Sequence, residues 1–221
     1  MNIGDRLLVD GWEQLPPSAE SLAAAEACAK LPLAFISSGK PFLRKLFKEG
    51  CENIPPELLR LAEDKDIVAA VEAYFGEAIK VASLRLFHSI YVPAAPYKSQ
   101  LYHCDGGPLA MVKLLLHCSD VTPGNGPFSF LPLDTSAELW AKTNYSTDRR
   151  LTDAQVEDAI GKIEPTHALG PKGTMFLLDT AKLFHFGARV DKGAANRLVA
   201  FVQYVKASDT FGATYDETAG A

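Results

Sequence analysis

A chain of 221 residues with 48% hydrophobic and 22% charged residues has the composition of a globular protein and is long enough to bury a sizeable core. Its net charge of −5 and pI near 5.6 argue against nucleic acid as a partner, because phosphate neutralisation needs a basic stripe. Only Arg44-Lys45 and Arg149-Arg150 are adjacent basic pairs. The start "MNIGDRLLVDGWEQLPP" lacks a basic segment followed by a long apolar run, and no apolar stretch reaches bilayer-spanning length. No membrane partner is therefore expected, and the chain reads as cytoplasmic. Cys28, Cys51, Cys104 and Cys118 form no CxxC pair, as expected of reduced thiols. The oligomeric state is not legible.

The first third reads helical. Ser18 can cap a helix through "AESLAAAEACAKL", and Pro41 takes a first-turn position before a helix "FLRKLFKE" that Gly50 ends. A third helix starts near "PPELLRLAE", and a fourth, "DIVAAVEAYFG", carries Ile67, Val68, Val71, Tyr74 and Phe75 at helical spacing before Gly76. From Ile79 the segments "IKVASLRLFHSIYV", "LAMVKLLLHCSDV", "PFSFLP", "GTMFLLDT" and "RLVAFVQYV" read as strands separated by Gly, Pro and Asn. Several are apolar at nearly every position, which predicts cover on both faces. Residues 134–167 interrupt the strands with "AELWAK" and "LTDAQVEDAIGKI", where Thr152 and Gln155 have capping-box spacing. The expected organisation is one α+β domain over 1–221. It comprises helical support (1–78), a sandwich or barrel (79–206) holding the helical insertion, and a poorly ordered tail (207–221).

The chemistry-bearing stretch is "SQLYHCDGG". In a strand, His103 and Asp105 point to one face and Cys104 to the other, giving an imidazole and a carboxylate side by side. They supply two of three ligands of a facial two-His-one-carboxylate site. A His hydrogen-bonded to a turn Asp would leave the same pattern. His185 in "LLDTAKLFHFGARV" is the best third candidate, placed after a strong strand and a short turn. Arg197 opens "RLVAFVQYV" on the face of Val199, Phe201 and Gln203, where it needs an anion: a bound carboxylate, or a surface acid such as Asp191. Lys113 shares a strand face with Met111, Leu115 and His117. It could clamp a carboxylate, meet an acidic substrate, or snorkel. His117 reads as structural, His167 is unassigned, and His88 and Tyr91 fall on opposite faces of their strand.

The order His-x-Asp, strand, Asn-Gly-Pro turn, strand, insertion, strand, then His and Arg resembles the phytanoyl-CoA dioxygenase-like branch of the Fe(II)/2-oxoglutarate dioxygenases over roughly residues 79–205. The resemblance implies a double-stranded β-helix, a jelly-roll or cupin-like barrel backed by the N-terminal helices. It implies Fe(II) on His103, Asp105 and His185, and 2-oxoglutarate with its far carboxylate on Arg197 and Gln100 nearby. O2 would be consumed, succinate and CO2 released, and a small-molecule substrate hydroxylated or otherwise oxidised at a C–H bond. Asp105 favours this over halogenation, since related halogenases leave the position small. Lys113, Tyr91, Gln203 and Arg149 are candidates for the cavity or substrate, with Lys142, Tyr145 and Arg150 also in the insertion. The sequence departs from the pattern at Gly187, where many relatives carry a hydroxyl. It departs again at "LPLDTS", where many read Pro-Gly-Ser-His. Two other readings share the ligand set: a cupin-like isomerase or hydrolase using Zn or Mn, and a non-catalytic binding barrel.

Overall fold

Strands that are apolar on both faces must be covered on both, and that demand organises the molecule into layers. A computed structural model describes residues 3–32, 36–47, 54–106 and 110–209. Gly50, Cys51 and the expected tail from residue 210 onward lie outside the described residues.

Seven strands form one antiparallel sheet. They are β1 (Trp12–Leu15), β2 (Ile36–Lys40), β3 (Leu43–Phe47), β4 (Ile79–Ser89), β5 (Val112–His117), β8 (Met175–Leu178) and β10 (Arg197–Lys206). Their order is β1-β8-β5-β10-β4-β3-β2. Between β5 and β8 in the chain come β6 (Ser129–Phe130) and β7 (Thr166–His167); with β9 (His185–Phe186) they make a small sheet in the order β7-β6-β9. The two antiparallel sheets form a jelly-roll-like core.

Alternation along the strands sorts the side chains into layers. Val112, Leu114 and Leu116 of β5 and Val202 and Tyr204 of β10 pack under α2 (Ala19–Ala29), α3 (Pro56–Ala62) and α4 (Lys65–Phe75), against Ala24, Leu58, Leu61 and Val71. Tyr204 satisfies its buried hydroxyl on the Ala62 carbonyl at 3.0 Å. Leu115, Val199 and Phe176 face the other way, toward Phe128 and Phe130 at the small sheet. A third cluster joins the insertion helices α5 (Leu133–Thr143) and α6 (Asp153–Ile160) to Tyr102, Phe184 and Phe186. Ser18 caps α2 reciprocally with Ser21, Gly76 ends α4 in the left-handed region, and Thr152 and Gln155 form the expected capping box. Among the described residues no helix is long and apolar enough to cross a membrane.

The structure corrects three expectations. "FLRKLFKE" is no helix: its first residues form β3, hairpinned to β2 and paired with β4 in the register Leu43↔Ser89, Arg44↔His88 and Lys45↔Phe87. Its apolar spacing fits either period, and an open sheet edge decides for the strand. Trp12–Leu15 pairs with β8 inside the segment read as helical. The His-x-Asp stretch contains only isolated bridges, Tyr102↔Leu151 and His103↔His185, rather than a continuous strand.

Leu114 is fully buried between sheet and helices. Leu114→Ala should lower the free energy of unfolding by about 2–5 kcal/mol through lost transfer energy and a cavity. Urea titration of both proteins measures this.

Candidate metal centre

His103 and His185 face one another across a two-way backbone bridge. Each N–H donates to the other's carbonyl, at 2.9 and 2.8 Å, and the ring centroids sit 4.3 Å apart. Each ring also uses Nδ1 on a carbonyl two residues back: His103 on Leu101 at 2.9 Å and His185 on Leu183 at 2.8 Å. A carbonyl only accepts, so both Nδ1 atoms carry the proton and both Nε2 lone pairs are left for a metal. Phe128 stacks on His185 with centroids 4.8 Å apart and fixes its plane.

Asp105 completes the group. Its backbone N–H donates to Thr180, and its Oδ2 lies 3.6 Å from His185 Nε2. One donor atom from each of the three residues lies within 4.8 Å of the others. Two imidazole nitrogens and a carboxylate oxygen converging on one point make a facial donor set that suits Fe(II).

The electrostatics prepare these atoms. Burial, then the neighbouring His185, holds His103 well below the ordinary histidine range, and burial likewise lowers His185. Burial opposes charge on Asp105, but Lys113 and the two histidines outweigh it and hold the carboxyl well below its ordinary value. At neutral pH the three residues therefore present two neutral imidazoles and a carboxylate, the forms that bind metal. Lys113 Nζ sits 2.8 Å from Asp105 Oδ2, so it is ion-paired rather than snorkelling.

Arg197 is the other unusual group. It is 3% exposed, and Nη2 donates to Ser89 Oγ at 3.2 Å. Nε and Nη1 have no hydrogen-bond partner among the described residues. Burial lowers its pKa to about 10, which leaves the guanidinium charged at neutral pH. A buried cation with two unspent donors is costly unless an anion completes it. Gly187 borders the guanidinium: a Cβ there would lie 3.6 Å from Nη2, an ordinary contact.

Both features open onto one cavity, lined by His103, Asp105, His185, Lys113, Arg197 and Gln203. Other expected residues are elsewhere. Gln100 spends its amide on the backbone, donating to Ala188 at 2.8 Å and accepting from Tyr97 at 3.4 Å, and does not line the cavity. Tyr91 lies beyond the end of β4, is 39% exposed and also stays outside. Arg149 donates to the Thr143 and Asn144 carbonyls at the end of α5 rather than to the cavity. Tyr145, from the insertion, braces the site by accepting the Cys104 N–H at 3.1 Å. His167 bonds Ser129 Oγ at 2.8 Å.

Sequence reasoning missed Ser83, Arg85 and Phe87, which line the cavity from alternate positions of β4. An arginine two positions from Phe87, on the same strand face, was the available signal. It also missed Arg189, whose Nε donates to the Gln100 carbonyl at 2.6 Å. Its two Nη atoms grip Asp153 at 2.8 Å each, tying the start of α6 to the chain after β9.

No protein-family model and no curated protein matches the chain. Solved structures do. The crystal structure of HygX from Streptomyces hygroscopicus with nickel and 2-oxoglutarate bound superposes with a TM-score of 0.64 at 18% identity, covering 92% of this chain and 86% of that one. EctD from S. alaskensis with bound Fe gives 0.63 at 18% identity, covering 92% and 75%. The α-ketoglutarate-dependent carbocyclase SnoK from nogalamycin biosynthesis gives 0.63 at 14%, covering 94% and 84%. At these identities the likeness establishes the fold.

His117, fully buried beside Phe176, has its pKa lowered to about 4 by burial and then by the Arg197 charge. Its neutral form is the folded one, so the unfolded chain takes up the extra proton as pH falls below about 6.5. Stability should drop between about pH 6 and 4.5. In His117→Leu that slope should be shallower by up to about 1.4 kcal/mol per pH unit, read from urea titrations across the range.

Proposed function

We propose that this chain is a non-haem Fe(II)/2-oxoglutarate-dependent oxygenase that hydroxylates a small-molecule substrate and releases succinate and CO2. The observation that carries this reading is the pairing, on one cavity, of the facial His103–Asp105–His185 set with the buried, incompletely bonded Arg197 guanidinium. His103 and His185 would hold iron through Nε2 and Asp105 through a carboxylate oxygen, while Arg197 would take the far carboxylate of 2-oxoglutarate. The metal and cosubstrate supply the oxidising power toward a C–H bond; the protein supplies geometry and a partly dry cavity.

The neighbours support the class. HygX has been crystallised with nickel, 2-oxoglutarate and hygromycin B, and EctD with 2-oxoglutarate and 5-hydroxyectoine. SnoN, an α-ketoglutarate-dependent epimerase, and SnoK, a carbocyclase, share the fold and mark the other outcomes such a site reaches. The carboxylate at Asp105 favours hydroxylation or another C–H oxidation over halogenation, and product mass separates the remaining reactions: one added oxygen for hydroxylation, none for epimerisation. On the same motif order we place the chain in the phytanoyl-CoA dioxygenase-like branch, with a double-stranded β-helix core.

The wild type should convert 2-oxoglutarate to succinate only with Fe(II) and O2, and His103→Ala or His185→Ala should lose both turnover and metal binding. Arg197→Met should keep metal but bind 2-oxoglutarate at least about 30-fold more weakly in nickel-loaded protein, as expected for removing one partner of a buried charge pair. Turnover without metal, or unchanged cosubstrate affinity in Arg197→Met, would overturn the assignment.

A further inference from the structure

The strand register sets the side chains on the cavity-facing side of β4, β10 and β5 in rows. Ser89 sits beside Arg197; Phe87, Val199 and His117 form the next row, then Arg85, Phe201 and Leu115, and finally Ser83, Gln203 and Lys113. Arg197 and Gln203 are six positions apart on β10, about 20 Å at the usual strand rise. The wall thus carries cations toward both ends. Arg197 is at one, and Arg85 and Lys113 stand in the last two rows at the other. Among the described lining residues the cations Lys40, Arg85, Lys113 and Arg197 outnumber the carboxylate of Asp105.

Lys113 is the member best placed to act. Its ammonium lies 2.8 Å from Asp105 Oδ2 and 6.0 Å from the Phe201 ring centre. Asp105 Oδ2 is also the oxygen nearest His185 Nε2. A divalent cation on that oxygen would put like charge against the ammonium, and the flexible lysine stem lets it turn to another partner. Phe87, Phe128, Phe186 and Phe201 wall the same space with apolar surface.

We propose that the substrate is an anion, a carboxylate or phosphate on an apolar body, which Lys113 receives next to the metal with Arg85 in the neighbouring row. This deepens the oxygenase reading and rests on it for the identity of the site.

The test is calorimetric and uses the whole protein, both metal-free and loaded with Ni(II) and 2-oxoglutarate. The probes are 3-phenylpropionate, phenyl phosphate and the neutral 3-phenylpropionamide. At least one anion should bind about tenfold or more tightly than the amide, as a charge-assisted contact implies, and the better anion distinguishes carboxylate from phosphate. Lys113→Met should erase most of that preference and Lys113→Arg restore it. Arg85→Met should reduce the preference as well, which keeps the test readable if Lys113→Met does not fold.

Equal affinity for anions and amide, or no binding of either anion, would overturn the proposal. So would loss of 2-oxoglutarate binding in Lys113→Met, because the lysine would then be the cosubstrate clamp. If the wild type binds neither Ni(II) nor 2-oxoglutarate yet prefers anions in a Lys113-dependent way, the oxygenase reading falls while the anion site stands.

Discussion

Two backbone hydrogen bonds between His103 and His185 hold the site together. They bring together residues far apart in the chain and set both rings on the same side of the bridge. Side chains alternate along extended backbone, so a slip of one residue would turn a ring away and dissolve the donor set. Much of the surroundings secures that register. Asp105 is tied to Thr180, Cys104 to Tyr145 of the insertion, and Phe128 lies flat against His185. The helical insertion therefore does structural service at the site, even though its Arg149 takes no part in the cavity wall.

Buried charge is the second organising theme. Two of the cations that line the cavity differ in character. Lys113 is paired with a carboxylate, whereas Arg197 has one neutral partner and two unspent donors. Burying a guanidinium this way lowers stability on its own, and such costs are usual where a ligand is to complete the network. The jelly-roll-like frame carries this cost because its two other clusters, under the N-terminal helices and beneath α5 and α6, bury many large apolar side chains.

Local signals read well where chemistry is local. The caps at Ser18 and Thr152, the glycine stop at Gly76 and the strand character of β5, β8 and β10 all follow from side-chain size, capping oxygens and branching. They failed where two periods fit the same residues. "FLRKLFKE" could bury its apolar side chains as a helix or a strand, and only the free edge of β4, itself placed by distant pairing, made the strand the better bargain. The short β1 was invisible for the same reason: four residues carry too little pattern, and β8 supplied its partner.

At the site, residue type, spacing and order along the chain marked His103, Asp105, His185 and Arg197, because imidazoles, a carboxylate and a guanidinium near apolar strands carry their chemistry with them. What needed the tertiary structure was their mutual position and everything defined by neighbours. It showed that Gln100 is used up on backbone and that Ser83 and Arg85 face the cavity. It also paired Lys113 with Asp105 and left Arg197 short of partners. A sequence specifies which groups are available and, through alternation and caps, how each segment is shaped. Distances of a few ångströms between separate segments are set by long-range pairing and packing, and metal binding and ion pairing depend on those distances.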